Sequence, residues 1–441
     1  MSKRTSWLLV ATLFCLGTRA SAQGPAPDRP AAAHQSPAPA PQLTLEQCYH
    51  LAEANYPLTR QRTLIAKTRD YSIANIAKGI YPQLDVNGTA TYQSTVTSLA
   101  LPPSLGIPLD ITLPKDQYKV YGEVSQTLTG FGINKQQREI SRTDAELQQA
   151  NLSSDLYALK DRINQLYFGA LLIDGQLEQN KLAEQDIRTG INNVQAAITN
   201  GTDFNSSLNK LKAELLKTNQ HSIELAASRD AYTDMLALFI NQPIDSTTKL
   251  EKPEPPAAAD SINRPELKAY DLQLQSYAQQ LKLTKLNLYP QLNAFFQGGF
   301  GRPNPLNFLA TNVGAYYLTG LRLTWTIGGA YTYKKDKLIN ANNQELIKAQ
   351  RSTFIFNATQ TMHQENADIR KYRQLIQSDD DIVKLRESVR TSSAVQLQNG
   401  VITANDYVLD VNAASQARQD RVVHQVQLLL SQYNYKNTSG N

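Results

Sequence analysis

Four stretches of this 441-residue chain alternate between apolar and polar or small side chains. In the first, Leu84, Val86, Gly88, Ala90 and Tyr92 interleave with Asp85, Asn87, Thr89, Thr91 and Gln93. In the second, Tyr118, Val120, Gly122, Val124 and Leu128 interleave with Lys119, Tyr121, Glu123, Ser125 and Thr127. The third sets Leu292, Ala294, Phe296, Gly298 and Phe300 against Gln291, Asn293, Phe295 and Gln297. The fourth sets Ala315, Tyr317, Leu321, Leu323 and Trp325 against Tyr316, Leu318, Gly320, Arg322 and Thr324. Period two predicts strands over 83–93, 118–128, 291–300 and 313–326. Strands of about ten residues with one apolar and one polar face suit a transmembrane β-barrel. A half-exposed sheet packed on helices would read the same way. On the barrel reading, Asp85, Asn87, Lys119, Glu123, Gln297 and Arg322 line a lumen. Tyr92, Phe300, Tyr317 and Trp325 then sit at membrane interfaces. Four strands cannot close, and open edges are not tolerated in lipid, so copies must share the barrel. Two, three or four chains would give eight, twelve or sixteen strands, and composition does not select among them.

The rest of the pattern is helical. Helices are predicted over 44–80 and 264–288, with the capping-box starts Thr44-x-x-Gln47 and Asn263-x-x-Glu266. Pro57 and Pro265 suit a first helical turn, and the Tyr-Pro pairs at 81–82 and 289–290 act as stops. Two much longer helices are predicted over 133–199 and 331–398, each about 100 Å long at 1.5 Å per residue. In the first, Leu152, Leu156, Leu159, Ile163, Leu166, Ala170, Ile173 and Leu177, then Ile187, Ile191, Val194 and Ile198, make a coiled-coil seam. Each rod ends at Asn-Gly (200–201 and 399–400), a C-cap signal, and return helices are predicted over 204–241 and 404–434. A return helix and a Pro-started helix together nearly match one rod, so the two could stack end to end beside it.

The two halves repeat. Asn55-Tyr-Pro57 and Tyr81-Pro-Gln-Leu84 recur 208 residues later as Asn263-Arg-Pro265 and Tyr289-Pro-Gln-Leu292. Glu146-Leu147, Ala150 and Asn200-Gly201 recur 199 residues later as Glu345-Leu346, Ala349 and Asn399-Gly400. The difference of nine places an insertion in the first copy, where Leu101-Pro-Pro-Ser-Leu-Gly-Ile-Pro108 has no equal counterpart. The units are a first repeat over 43–241, a Pro-rich linker over 242–262, a second repeat over 263–435 and a tail over 436–441. A period near 200 residues is a duplicated domain, not a solenoid of short units.

Composition adds the address. Lys3 and Arg4, the apolar run Trp7–Leu16 and Ala20-Ser-Ala22 read as a secretory signal over 1–22. A Pro/Ala-rich spacer follows over 23–42. Cleavage after Ala22 would remove Lys3, Arg4 and Arg19 and no acids, lowering the formal charge from +5 to +2. So small an excess makes nucleic acid a poor partner. Cys15 follows Phe14, where lipidation wants a small residue. Cys48 and Trp325 would then be the only mature residues of their kinds, and a lone Cys48 suits a buried helix position. The mean hydropathy of −0.42 excludes a helical membrane protein, because no internal stretch reaches about 20 apolar residues. It passes over a barrel, whose strands are half polar.

Together these features resemble the TolC-like outer-membrane efflux proteins. The residues that carry the likeness are the opening Leu43-Thr-Leu-Glu-Gln-Cys-Tyr-His-Leu-Ala-Glu-Ala-Asn-Tyr-Pro57 and the repeated Tyr-Pro-Gln-Leu. The strand-to-helix glycines in Thr129-Gly-Phe-Gly132 and Thr326-Ile-Gly-Gly329, and the tips Asn200-Gly-Thr202 and Asn399-Gly-Val401, complete the set. The resemblance spans about 43–435. It implies a mainly α, internally duplicated fold with a membrane β part. Four strands per chain would join a trimeric, twelve-stranded barrel in a Gram-negative outer membrane, and the long helices would form a periplasmic tunnel. It also implies docking, through the tips Asn200, Gly201, Thr202, Asn399, Gly400 and Val401, to a periplasmic adaptor protein. Through that adaptor the duct would serve an inner-membrane transporter of the RND, ABC or MFS class. Carried over by position, Asp406 and Asp410, with Asp203 in the first tip, are candidate acids of a periplasmic aperture. Ser207 stands where the first tip would carry the equivalent of Asp406. Ile402 and Leu397 replace a basic and an aromatic residue that some members hold, a departure that speaks against a salt-bridge-locked gate.

Three functions compete. A passive exit duct accounts for rods and strands together. An exported coiled-coil or adhesin-like structural protein accounts for the rods but not for strands at matching points of both halves. An enzyme lacks support: no nucleophile elbow, phosphate loop or zinc spacing occurs, and His50, His221, His363 and His424 stand singly on helices. No cofactor or metal is expected.

Overall fold

The computed structural model describes residues 42–100, 110–245, 248–257, 261–307 and 310–441. The expected signal over 1–22, nearly all of the 23–42 spacer and the insertion over 101–108 lie outside the described residues.

Four strands form one antiparallel sheet: β2 (Gln83–Tyr92), β5 (Asp116–Thr127), β7 (Gln291–Arg302) and β8 (Gly314–Thr324), in the order β2-β5-β7-β8. β3 (Ser98–Ala100) and β4 (Asp110–Thr112) form a separate hairpin, and β1 (Gln42–Leu43) pairs in parallel with β6 (Lys249–Leu250). The helices are α1 (Leu45–Asn55), α2 (Arg60–Lys78), α3 (Phe131–Tyr157), α4 (Leu159–Thr199), α5 (Asn205–Ile240), α6 (Pro265–Leu286), α7 (Gly329–Gln398) and α8 (Ala404–Ser439).

Each strand of the large sheet joins one helix: α2 leads into β2, β5 into α3, α6 into β7, and β8 into α7. The helices keep the strand order, for α3 packs between α2 and α6, and α6 packs against α7. Toward the far end α4 continues α3 and packs between α5 and α8, and α8 also packs along α7. The described residues from Gln42 onward thus form a wall four helices wide under a sheet four strands wide. α7, 70 residues without a break, runs the full length of the wall, about 105 Å.

Several boundaries differ from expectation for identifiable reasons. The helix expected over 44–80 is broken. Tyr56, extended at φ −62°, ψ 132° as a residue before proline must be, separates α1 from a short 3-10 turn at Pro57–Thr59 and from α2. The rod expected over 133–199 changes helical segment at Ala158, which keeps helical dihedrals (φ −62°, ψ −17°). The 242–262 linker contains β6, and the 436–441 tail is helical to Ser439, where Gly440 at φ +84° ends α8. Thr44 and Gln47 form a reciprocal capping box. Asn263 does not: the N-cap of α6 is Arg264, and Glu266 pairs with that arginine.

In each half the two shorter helices stand end to end beside the long one. Asn55 Nδ2 donates to Ile240 O (3.0 Å) where α5 meets α1. Asn263 N donates to Ser439 O (2.6 Å) where α8 meets α6. The largest apolar cluster fills this waist, with Leu45, Cys48, Leu156, Ile163, Tyr167, Phe168 and Leu236 among its members. The Tyr167 hydroxyl lies within donating distance of both Leu43 O (2.8 Å) and Glu251 O (2.6 Å), its one proton shared between them, which clamps β1 and β6 to α4. Burial pushes the Cys48 thiol up to about 12, so it stays protonated and inert.

Glu365 on α7 faces the α6–α8 junction. One of its oxygens accepts from Thr438 (2.9 Å), while the other is buried without a partner. Burial raises its carboxyl to about 7; Asp161 and Asp368 add to the rise, against the Thr438 bond and Arg264. Because the folded value lies above that of an unfolded glutamate, near 4.3, the protonated form favours folding. That stability is present below about pH 4.5 and is lost as pH rises through 7. Glu365→Gln, neutral at every pH, should melt above the wild type at pH 8 and level with it near pH 4.5. Parallel melting curves across that range would count against the buried carboxyl.

Candidate functional site

The sheet sorts its residues by register. On one face the cross-strand rows are Leu84–Val124–Phe296–Thr319, Val86–Gly122–Gly298–Tyr317 and Gly88–Val120–Phe300–Ala315. This apolar face is uncovered: Val86 is 76% exposed, Tyr317 70% and Leu323 67%. Tyr92 stands at the end far from the helices and Trp325 at the helix end, its indole donating to Leu288 O (3.0 Å). Phe300 and Tyr317 lie between them on the same face, Tyr317 stacked on Phe296.

The opposite face carries the row Asp85–Glu123–Gln297–Leu318 and, beside it, Asn87, Lys119 and Arg322. Arg322 donates to Glu123 (3.0 Å) and lies over the Phe295 ring, while Lys119 sits over Tyr121 and Tyr316. All six candidate lumen residues therefore share a face, with part of their charge held by neighbours. Aromatic side chains stand among them, so this face is mixed rather than uniformly polar.

At the far end both hairpins turn by the same device. Gly201 (φ +73°) and Gly400 (φ +69°) take left-handed conformations that favour glycine. In the first tip Thr202 N bonds to Ala197 O (2.9 Å) and Gly201 N to Ile198 O (3.0 Å). In the second, Val401 N bonds to Gln396 O (2.8 Å) and Gly400 N to Leu397 O (3.1 Å). Both are Schellman closures, with Asn200 and Asn399 as the C-caps. No atom lies within 4 Å of a Cβ built on either glycine, so conformation rather than crowding demands them.

The three acids near the tips differ. Asp203 accepts from Phe204 N (2.6 Å) and the Ser207 hydroxyl (2.7 Å), holding the start of α5. Asp406 is the acid of a capping box with Thr403, whose hydrogen bonds hold its carboxyl below the usual range. Asp410, one turn on, accepts from the buried Ser393 hydroxyl of α7. All three have local partners, and Asp410 ties the two arms of its hairpin together.

A larger electrostatic feature lies about 15–20 Å from the tips, counting 1.5 Å per residue. Arg390 of α7 donates to Asp186 of α4 (2.6 Å) and to Glu387 (2.9 Å). Arg418 of α8 donates to Glu387 (2.7 Å) and reaches Asp186 at 3.5 Å, closing a four-membered ring. The Tyr407 hydroxyl donates to Asp186 O (2.7 Å), and its ring lies where Gly190 has no side chain. Sequence reading missed these residues. Only the i,i+3 spacing of Glu387 and Arg390 was a signal, and Asp186 lies some 200 positions away. His424, expected to stand singly, bonds the buried Asp379 across α7 and α8 (2.7 Å). Among the described residues no group of three or more metal-ligating side chains occurs. Also among the described residues, no helix is long and apolar enough to cross a membrane.

No protein-family profile matches this chain, and no curated protein matches it. Solved structures do. The outer-membrane channel OprN matches with a TM-score of 0.64 at 13% identity, over 90% of this chain and 89% of its own. CusC, described in terms of folding and transmembrane channel formation, matches with 0.66 at 12% identity over 89% and 91%. The open state of the Neisseria gonorrhoeae MtrE outer membrane channel matches with 0.64 at 14% identity over 90% and 89%. These outer-membrane channel structures match the chain over about nine-tenths of its length at TM-scores of 0.64–0.66: the chain has the TolC-like outer-membrane channel fold.

Proposed function

We propose that this protein is a passive exit duct in a Gram-negative outer membrane, continued by a helical tunnel into the periplasm. One observation carries the reading: an antiparallel sheet whose apolar face is uncovered and whose edge strands β2 and β8, among the described residues, are each paired on one side only. In lipid such edges must be paired, so the barrel closes only between copies. Three copies give twelve strands above a ring twelve helices around, and the inner face, with Asp85, Glu123, Gln297 and Arg322, lines a water-filled path. The internal duplication supplies two strands and one hairpin per repeat. The tips at 200–202 and 399–401 dock a periplasmic adaptor protein, which couples the duct to an RND, ABC or MFS transporter. Asp406, Asp410 and Asp203 stand at the aperture, and export through the duct needs no chemistry from this chain.

Fractionation and planar-bilayer recording test this reading. A heat-modifiable trimer in the outer-membrane fraction, with stepwise cation-biased conductance, is the expected result. A soluble monomer without conductance would remove it. In Asp406→Asn with Asp410→Asn the cation bias should fall; an unchanged bias would remove the acid aperture while leaving the duct.

A further inference from the structure

The four helix ends that meet the sheet carry an unbalanced charge. Lys78 closes α2, Lys135 lies in the first turns of α3, Lys285 in the last turn of α6, and Lys334, Lys335 and Lys337 in the first turns of α7. All six are exposed, and among the described residues none has an ion-pair partner. Of the nearby acids, Asp70 and Glu139 pair with Arg69 and Arg142, while Asp336, bonded by the Thr332 hydroxyl, offsets one of the three α7 lysines and leaves the collar with a net excess of positive charge. At the other end of the sheet the charge is balanced, Arg302 pairing with Asp116 (2.6 Å).

A second feature lies at the same level. Tyr81, Tyr289, Trp325 and Tyr331 are 58–81% exposed at the junction of strand and helix. Trp325 continues the parity of Leu321 and Leu323 on the uncovered apolar face. An aromatic belt where an apolar band ends, with cationic stems one or two turns beyond it, is the order in which a bilayer presents acyl chain, interface and phosphate. Basic residues at that depth attract anionic headgroups.

We propose that this lysine collar binds the phosphates of anionic phospholipids in the leaflet facing the helices, fixing the depth and orientation of the barrel. The proposal rests on the membrane reading above and adds a lipid class and a site to it.

Trp325 is the natural reporter, since Trp7 is the only other tryptophan in the chain. The full chain carrying Trp7→Phe is reconstituted in phosphatidylcholine bilayers with increasing brominated phosphatidylglycerol or brominated phosphatidylcholine, and quenching of Trp325 is followed. Brominated phosphatidylglycerol should reach half-quenching at a mole fraction at least threefold lower. The preference should vanish in Lys334→Gln, Lys335→Gln, Lys337→Gln and shrink in high salt, as screening requires. Equal quenching by both lipids in the wild type, or an unchanged preference in the triple variant, overturns the collar and leaves the membrane reading intact. A triple variant that changes ion selectivity but not quenching puts the lysines in the lumen and also overturns it. Absence of quenching by either lipid overturns the membrane reading itself.

Discussion

Val124→Arg should abolish assembly in the outer membrane, whereas Ser125→Arg, one residue along, should assemble normally and alter conductance. Val124 lies mid-sheet on the uncovered apolar face, opposite Leu84 and Phe296. An arginine on a lipid-facing strand position near the bilayer centre costs about 2–4 kcal/mol, and the proposed trimer would incur that cost in each copy. Ser125 points to the other face, opposite Gln83 and Phe295. Arginine there meets water and an aromatic ring of the kind that Arg322 already covers, 4.6 Å away. The readout is the heat-modifiable trimer on a denaturing gel of the outer-membrane fraction, with circular dichroism as the check on folding. A soluble sheet packed on a partner would invert or erase the difference between the two sites. Equal tolerance of both substitutions, or equal failure, would sink the barrel.

The same alternation that makes this test sharp made the strands readable from the residues alone. Period two assigns a face to every side chain without any knowledge of the partner strand, so the six candidate lumen positions fell on one face once the register was known. The hairpin tips were readable because Asn-Gly encodes a left-handed turn locally. What depends on distant partners was not. β1 and β6 are two residues each, too short for a periodic signal, and they exist because Tyr167 ties both to α4. Gly169, Gly175 and Gly190 look like weak points in a long helix. Each in fact admits a side chain from a neighbour: Tyr232, Val422 and Tyr407 in turn. Asp406 was a missed opportunity of another kind. Thr403-x-x-Asp406 carries a capping signal in plain sequence, and the structure gives that carboxylate a local task whatever it does at an aperture.

Asp186→Asn should loosen the far end of the tunnel without dissolving either hairpin. Two hairpins make up that end, α4 with α5 and α7 with α8, and the seam between them runs along α4 and α8. Within the ion ring, the bonds from Glu387 to Arg390 and Arg418 stay inside the α7–α8 hairpin. Among the four members of the ring, the Asp186 carboxylate is the one that reaches across the seam, to Arg390 at 2.6 Å and Arg418 at 3.5 Å. Asparagine keeps the shape and the carbonyl that holds Tyr407 but removes the charge. Charge-assisted bonds of this partly exposed kind contribute on the order of 1–3 kcal/mol, which moves an open-to-closed ratio by about 5- to 150-fold. Single-channel conductance or open probability should therefore rise, with the trimer still intact on a gel. Glu387→Gln, which leaves both bridges across the seam in place, should change conductance far less. If the two substitutions act alike, the ring serves only to hold helices together; a gate at this seam requires that Asp186 stand apart.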